Sequence, residues 1–161
     1  MSQNRPYNIM KHPDVFKAMM GLAATYENST LEPALLELVK IRASQINGCG
    51  FCLDMHTKDA RLEGETEQRL YLVSVWRETS IYSEREKAAL AWTEAVTRLE
   101  NQHVPDAVYD QAKAQFSDEE LVRLTIAVVV INGWNRLNIA FNLPAGSYKA
   151  GSLKAARAPA S

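Results

Sequence analysis

Apolar positions recur at the helical period along almost the whole chain, and the breaks between periodic segments fall at Gly, Pro and short polar clusters. Pro13 stands where a first-turn proline belongs, and Phe16, Met19, Met20, Ala23 and Tyr26 follow at near-helical spacing up to Asn28-Ser29-Thr30. This pattern predicts a first helix. An amphipathic second helix is predicted from about Glu32, opening with Pro33, running through Leu35, Leu38, Val39 and Ile46, and stopping at Asn47-Gly48. Cys49 follows at once, and a third helix is expected to reach Leu62 before Gly64 breaks it. A fourth carries Leu70, Val73 and Trp76.

Two capping boxes sharpen the second half of the chain. In Ser83-x-x-Glu86 and again in Ser117-x-x-Glu120, a Ser oxygen and a Glu carboxylate three positions on can satisfy each other's exposed backbone amides, which marks a helix start. The first box opens a helix with Leu90, Ala91 and Val96. The second opens a long apolar segment from Leu121 to Phe141. Between them, a shorter helix is expected after Val104-Pro105, reaching Phe116. The β-branched run Thr125 to Ile131 has strand character, but it lies between a strong cap and further helical spacing, so it is read as helix. The fold class is therefore all-α, with a single helical domain over 1–143. From Pro144 onward Ala, Gly, Ser, Lys and Pro dominate, so residues 144–161 are expected to form a flexible or partner-docked tail.

Length and charge narrow the partners. A chain of 161 residues is one domain's worth, enough to bury about two-thirds of its unfolded surface around one core. Lys and Arg number 18 against 19 Asp and Glu, giving a net charge of -1, and no basic run forms a phosphate-binding face. No nucleic-acid partner is expected. The opening Ser2-Gln3-Asn4-Arg5-Pro6 lacks the apolar region of a secretory signal, and the longest apolar run, Ile126 to Ile131, is far short of a membrane span. No membrane association is expected, and the reading is a cytoplasmic protein.

The chemistry concentrates on one stretch. The only two cysteines, Cys49 and Cys52, lie three positions apart, so a disulfide between them closes a loop too short to stabilise the fold by much. In a reducing compartment such a pair is reactive or metal-binding rather than structural. On a helix, Cys52 and His56 lie about 60° and 20° from Cys49 around the axis, so all three project within one sector. Cys52 and His56 are also i,i+4 neighbours, which lets the imidazole take a thiol proton directly or through water. Cys49 lies at the helix start, where the dipole and unpaired amides favour a thiolate. If the second and third helices fold back at Gly48, Glu37 approaches His56, orienting the imidazole and raising its basicity. The remaining histidines, His12 and His103, read as surface or capping residues, and Trp76, Trp92 and Trp134 as core or subunit-contact residues.

The run from Glu37 through Lys40-Ile41-Arg42 and Asn47-Gly48-Cys49-Gly50-Phe51-Cys52 to His56 resembles the alkylhydroperoxidase D-like (AhpD-like) branch of the carboxymuconolactone decarboxylase superfamily. The likeness continues through Gly64-Glu65-Thr66-Glu67 and Ala89-Leu90-Ala91-Trp92-Thr93-Glu94, and weakly at Trp134-Asn135-Arg136-Leu137. It implies an all-helical fold around an antiparallel helical hairpin, and a homo-oligomer, trimer or hexamer. It further implies a peroxidase in which Cys52 attacks a peroxide substrate, Cys49 resolves the product as a disulfide, and Glu37 with His56 relays protons. A dithiol or lipoyl-type protein reductant would regenerate the thiols, and no bound cofactor is expected. The dipole alone favours Cys49 as the more acidic thiol, so the order of attack stays open at the level of sequence. Phe51 stands where well-studied peroxidase relatives carry Tyr, so a relay through that hydroxyl is absent. Two alternatives stand beside this reading: a non-catalytic zinc module with Cys49, Cys52, His56 and Glu37 as ligands, and a decarboxylase-like enzyme that does not depend on the cysteine pair.

Overall fold

The fold is seen in a computed structural model that describes residue 5 and residues 9–155; the other N-terminal residues read above for a leader, and tail residues 156–161, lie outside the described part. Among the described residues there are helices and no strands. In order they are α1 (Pro13–Glu27), α2 (Pro33–Asn47), α3 (Gly50–Leu62), α4 (Glu67–Leu72), α5 (Glu84–Arg98), α6 (Asp106–Lys113) and α7 (Asp118–Ala140), with a last helical turn at Ser152–Ala155. No helix among them is long and apolar enough to cross a membrane.

Local chemistry accounts for most boundaries. Pro13 and Pro33 occupy first-turn positions of α1 and α2, where a missing amide costs nothing. Gly48 ends α2 in the left-handed region, φ 70°, a conformation that a Cβ strains. Both capping boxes are formed: Glu86 N donates to Ser83 Oγ and Ser83 N to Glu86 Oε2, and Ser117 and Glu120 do the same at the start of α7. The β-branched run of α7 is helical throughout. Its cap starts a helix, and burial of Leu124, Ala127, Val128 and Ile131 rewards continuing it.

Three expectations from the sequence change. The second helix is not amphipathic: every residue from Leu35 to Ser44 is buried, because α2 packs against α3, α5 and α7 at once. The fourth helix breaks after Leu72 into a 3₁₀ stretch, Val73–Glu78, kinked at Val75. The break carries Trp76 and Arg77 together onto one buried carboxylate, Glu94, at 3.0 and 2.6 Å. The sixth helix stops at Lys113, and Phe116 reaches the core from the turn beyond it through Phe116 N donating to Ala112 O.

The burial of α2 dictates its polar partners. A charged group removed from water is tolerated only when another group answers it, and each such residue on α2 has an answer. Arg42 donates through Nε to Glu94 Oε1 at 2.7 Å and through Nη1 to Gln45 Oε1. Ser44 accepts from Asn135 on α7 at 3.0 Å. Glu37 and Lys40 pair on the side facing α3. The central helix is therefore locked in rotation as well as position, which is what holds the hairpin with α3 in register.

The segment after Pro144, expected to be flexible or held by a partner, lies over its described part against α3 of its own chain. Gly146 N donates to Asp54 and Gly151 N to Asp59, at 2.9 and 2.8 Å, and Lys58 Nζ donates to Tyr148 O at 3.0 Å.

Candidate active site

The two cysteines sit where α2 hands over to α3. Cys49 is the residue before the first turn of α3, and its Sγ accepts from Cys52 N at 3.4 Å, so the helix start does act on the Cys49 sulfur. Cys49 and Cys52 are joined as a disulfide with Cα atoms 5.4 Å apart. Both are essentially buried, packed with Ala43 and Ile131. His56 follows one helical turn after Cys52 on the same helix and is also buried.

The hairpin brings Glu37 to His56, with Oε2 and Nδ1 2.9 Å apart. On its other oxygen Glu37 accepts from Lys40 Nζ at 2.8 Å. Burial alone would raise the Glu37 carboxyl; the Lys40 ammonium and the His56 contact outweigh it and hold the group well below the usual carboxylate range. For His56 burial wins and pushes the imidazole below its ordinary value; the Lys40 charge lowers it further, while Glu37 and Asp59 pull the other way. The pair at neutral pH is thus a carboxylate facing a neutral imidazole. An ionised carboxylate can only accept, so Nδ1 carries the proton and donates it to Glu37, which leaves Nε2 with a free lone pair. The arrangement yields an oriented base one turn from Cys52. Behind Glu37, a cavity of about 150 Å³ is lined by Ala34, Glu37, Ala60, Glu63, Gly64 and Glu65.

Three partners of this group were missed from the sequence. Lys40 had a visible signal, an i,i+3 charge pair inside an otherwise apolar stretch. Asn138 had a fainter one. Asn132, Asn135 and Asn138 recur every third residue on α7, and the structure turns that row onto the hairpin. Asn47 Nδ2 donates to Asn132 and Asn135, both at 2.9 Å, Asn135 reaches Ser44, and Asn138 Nδ2 donates to Cys52 Sγ at 3.3 Å. Tyr148 had none, since it lies in the tail. Its ring meets Phe51 edge-on at 6.4 Å and its hydroxyl donates to buried Asp59 at 3.0 Å. Phe51 therefore has an aromatic neighbour whose hydroxyl is committed elsewhere.

The other candidates stay apart. His12 and His103 are exposed, and His12 makes no side-chain cap. Trp76 and Trp92 are buried and bond Glu94 and Thr125, and Trp134 packs on Phe16. A larger cleft, about 430 Å³ between α5, α6 and α7, is lined by Trp92, Tyr109 and Val122 among others and includes none of Cys49, Cys52, His56 and Glu37. Among the described residues no three His, Cys, Asp or Glu side chains are grouped so as to hold a metal ion.

The chain is similar to proteins of one family. A relative from Bacillus subtilis, the uncharacterized protein YdfG, is 43% identical over 135 residues, spanning 84% of this chain and 92% of the relative. A solved protein of unknown function from Agrobacterium tumefaciens, named as a candidate AhpD antioxidant-defence protein, superposes with a TM-score of 0.84 at 42% identity, covering 91% of this chain and all of that one. More distant solved structures share the fold alone. They include an alkylhydroperoxidase AhpD core from Ralstonia eutropha (TM-score 0.76, 18% identity, 86% of this chain and 74% of that one) and the debrominase Bmp8 (TM-score 0.75, 20% identity, 86% and 75%). The carboxymuconolactone decarboxylase family profile matches residues 13–95, a span that holds α1 to α4, the helical hairpin with its cysteine pair, and most of α5. With these matches and an all-helical fold of the AhpD type, the chain belongs to the carboxymuconolactone decarboxylase family.

Proposed function

We propose that the protein is a thiol-dependent hydroperoxide reductase with Cys52 as the attacking thiol, Cys49 as the resolving thiol, and Glu37 with His56 as the proton relay. The observation that carries this reading is the Glu37 to His56 Nδ1 contact at 2.9 Å, which leaves Nε2 as a base one helical turn from Cys52. His56 takes the Cys52 proton, and the thiolate attacks the distal peroxide oxygen. The O–O bond breaks, the leaving alkoxide takes the proton back from His56, and Cys52 becomes a sulfenic acid. Cys49 then displaces hydroxide from that sulfur, releasing water and closing the disulfide. A dithiol or lipoyl-type donor reduces it, giving up two electrons and becoming the disulfide itself.

The rivals fit less well. In the zinc reading Glu37 and His56 would both turn to a metal, whereas each already answers the other, and Lys40 occupies the second Glu37 oxygen. A decarboxylase has no use for a bonded cysteine pair beside an oriented base. The test is peroxide consumption with a small dithiol as donor, together with the thiol count after one equivalent of peroxide. Rapid loss of both thiols and turnover abolished in Cys52→Ser are expected; undiminished turnover in that variant would overturn the assignment.

A further inference from the structure

Each sulfur of the pair has its own N–H donor, and the two donors differ in kind. Cys49 Sγ accepts from a backbone amide of its own helix, Cys52 N at 3.4 Å, a feature of any helix start. Cys52 Sγ accepts from Asn138 Nδ2 at 3.3 Å, a side chain 86 positions away on α7. Asn138 is almost fully buried, and its own backbone oxygen is taken by Leu143 N. The row Asn132, Asn135, Asn138 is anchored on α2 and the hairpin turn through Ser44 and Asn47, so Asn138 is presented to Cys52 by a rigid face rather than by a loop.

We propose that Asn138 is the residue that selects Cys52 over Cys49 as the thiolate of the reduced protein. This inference rests on the dithiol reading above and deepens it. A neutral thiol is a weak acceptor, while a thiolate accepts strongly, so a fixed amide donor favours the ionised sulfur. The dipole at the start of α3 pulls toward Cys49, and a donor aimed at Cys52 alone supplies what that argument lacks. Ionisable groups on the packed elements include Asp54, His56, Lys58 and Asp59 on α3, Glu37, Lys40 and Arg42 on α2, Arg136 on α7, and the Tyr148 hydroxyl of the tail segment. On α7 the group that touches the sulfur is the neutral Asn138.

The role follows through the cycle. After attack, the N–H that held the thiolate stays at the sulfur as Cys52 becomes a sulfenic acid. On reduction, a donor thiolate attacking Cys49 forms a mixed disulfide there and expels Cys52 as the better-stabilised thiolate; the donor's second thiol then attacks the mixed disulfide and frees Cys49.

The test isolates each sulfur. Cys49→Ser leaves Cys52 as the only thiol of the chain, and Cys52→Ser leaves Cys49. In each background the thiolate is titrated by its ultraviolet absorbance, with and without Asn138→Leu, a near-isosteric change that removes the donor. The Cys52 titration is expected to rise by about one unit, a roughly tenfold weaker acid, while Cys49 stays where it was. Asn138→Asp, which sets a carboxylate against the sulfur, is expected to raise Cys52 further, and it remains the deciding variant if the Leu form does not fold. An unmoved Cys52 titration, or equal shifts of both sulfurs, would overturn the proposal. The titration needs no peroxide, so a chain that shows the shift yet consumes none keeps this inference and loses the proposed reaction.

Discussion

Glu37 and His56, nineteen positions apart in the chain, meet at 2.9 Å across the α2 and α3 hairpin, and the contact assigns the imidazole proton to Nδ1. An ionised carboxylate has no proton to donate, so the direction of that hydrogen bond is decided by the charge of Glu37. Replacing Glu37 by Gln removes the charge and lets the amide bond either ring nitrogen form. Glu37→Gln is expected to lower the rate of peroxide reduction about a hundredfold, in the range of a lost general base. Stopped-flow decay of peroxide under single turnover measures it, and His56→Ala should give a loss of the same order.

Lys40 depresses both members of the pair, because its ammonium stabilises the Glu37 carboxylate and repels a proton on His56. In Lys40→Met the His56 imidazole should therefore titrate higher. His56 must be unprotonated to act as a base, so the acidic limb of the rate profile moves to higher pH. A profile of kcat/KM against pH that keeps its wild-type acidic limb would contradict this.

Acid should unfold the protein in two stages. His56 titrates below its ordinary value of 6.5 in the folded state, so under that pH the unfolded chain binds a proton that the folded chain resists, and stability falls. Glu37 and Glu94 titrate below their ordinary value of 4.5. Burial opposes the shift in both; Lys40 and His56 overcome it for Glu37, and Arg77, Trp76 and Arg42 for Glu94. Their stabilisation is full above that value and is lost as pH drops beneath it. Urea midpoints measured across this range should decline gently below about 6.5 and steeply below about 4.5.

Gly48 ends α2 at φ 70° with open space around its Cβ position, so backbone strain, not crowding, opposes a side chain there. Gly48→Ala is expected to cost about 1 to 2 kcal/mol while leaving the site chemistry intact. Thermal melts paired with peroxide assays below the melting point separate the two effects.

Much of the hairpin is short-range, and so it could be read in the chain. Pro33 and Gly48 mark the ends of α2, Ser83 and Ser117 with their glutamates mark the starts of α5 and α7, and the spacing of Cys49, Cys52 and His56 sets them on one helical sector. A two-residue connection forces α2 and α3 to fold back, so even the Glu37 contact followed from local spacing. These features depend on backbone hydrogen bonds and helical geometry within a few residues, which the order of side chains by itself determines. What packs against each face depends on surfaces that meet only after collapse. That α2 is buried all round, that Trp76 and Arg77 leave a regular helix to reach Glu94, that the tail returns to Asp54 and Asp59, and that Asn138 finds Cys52 across 86 positions are outcomes of tertiary packing. Each is settled by which buried polar group must be answered once water is gone, and only the assembled helices decide which partner is within reach.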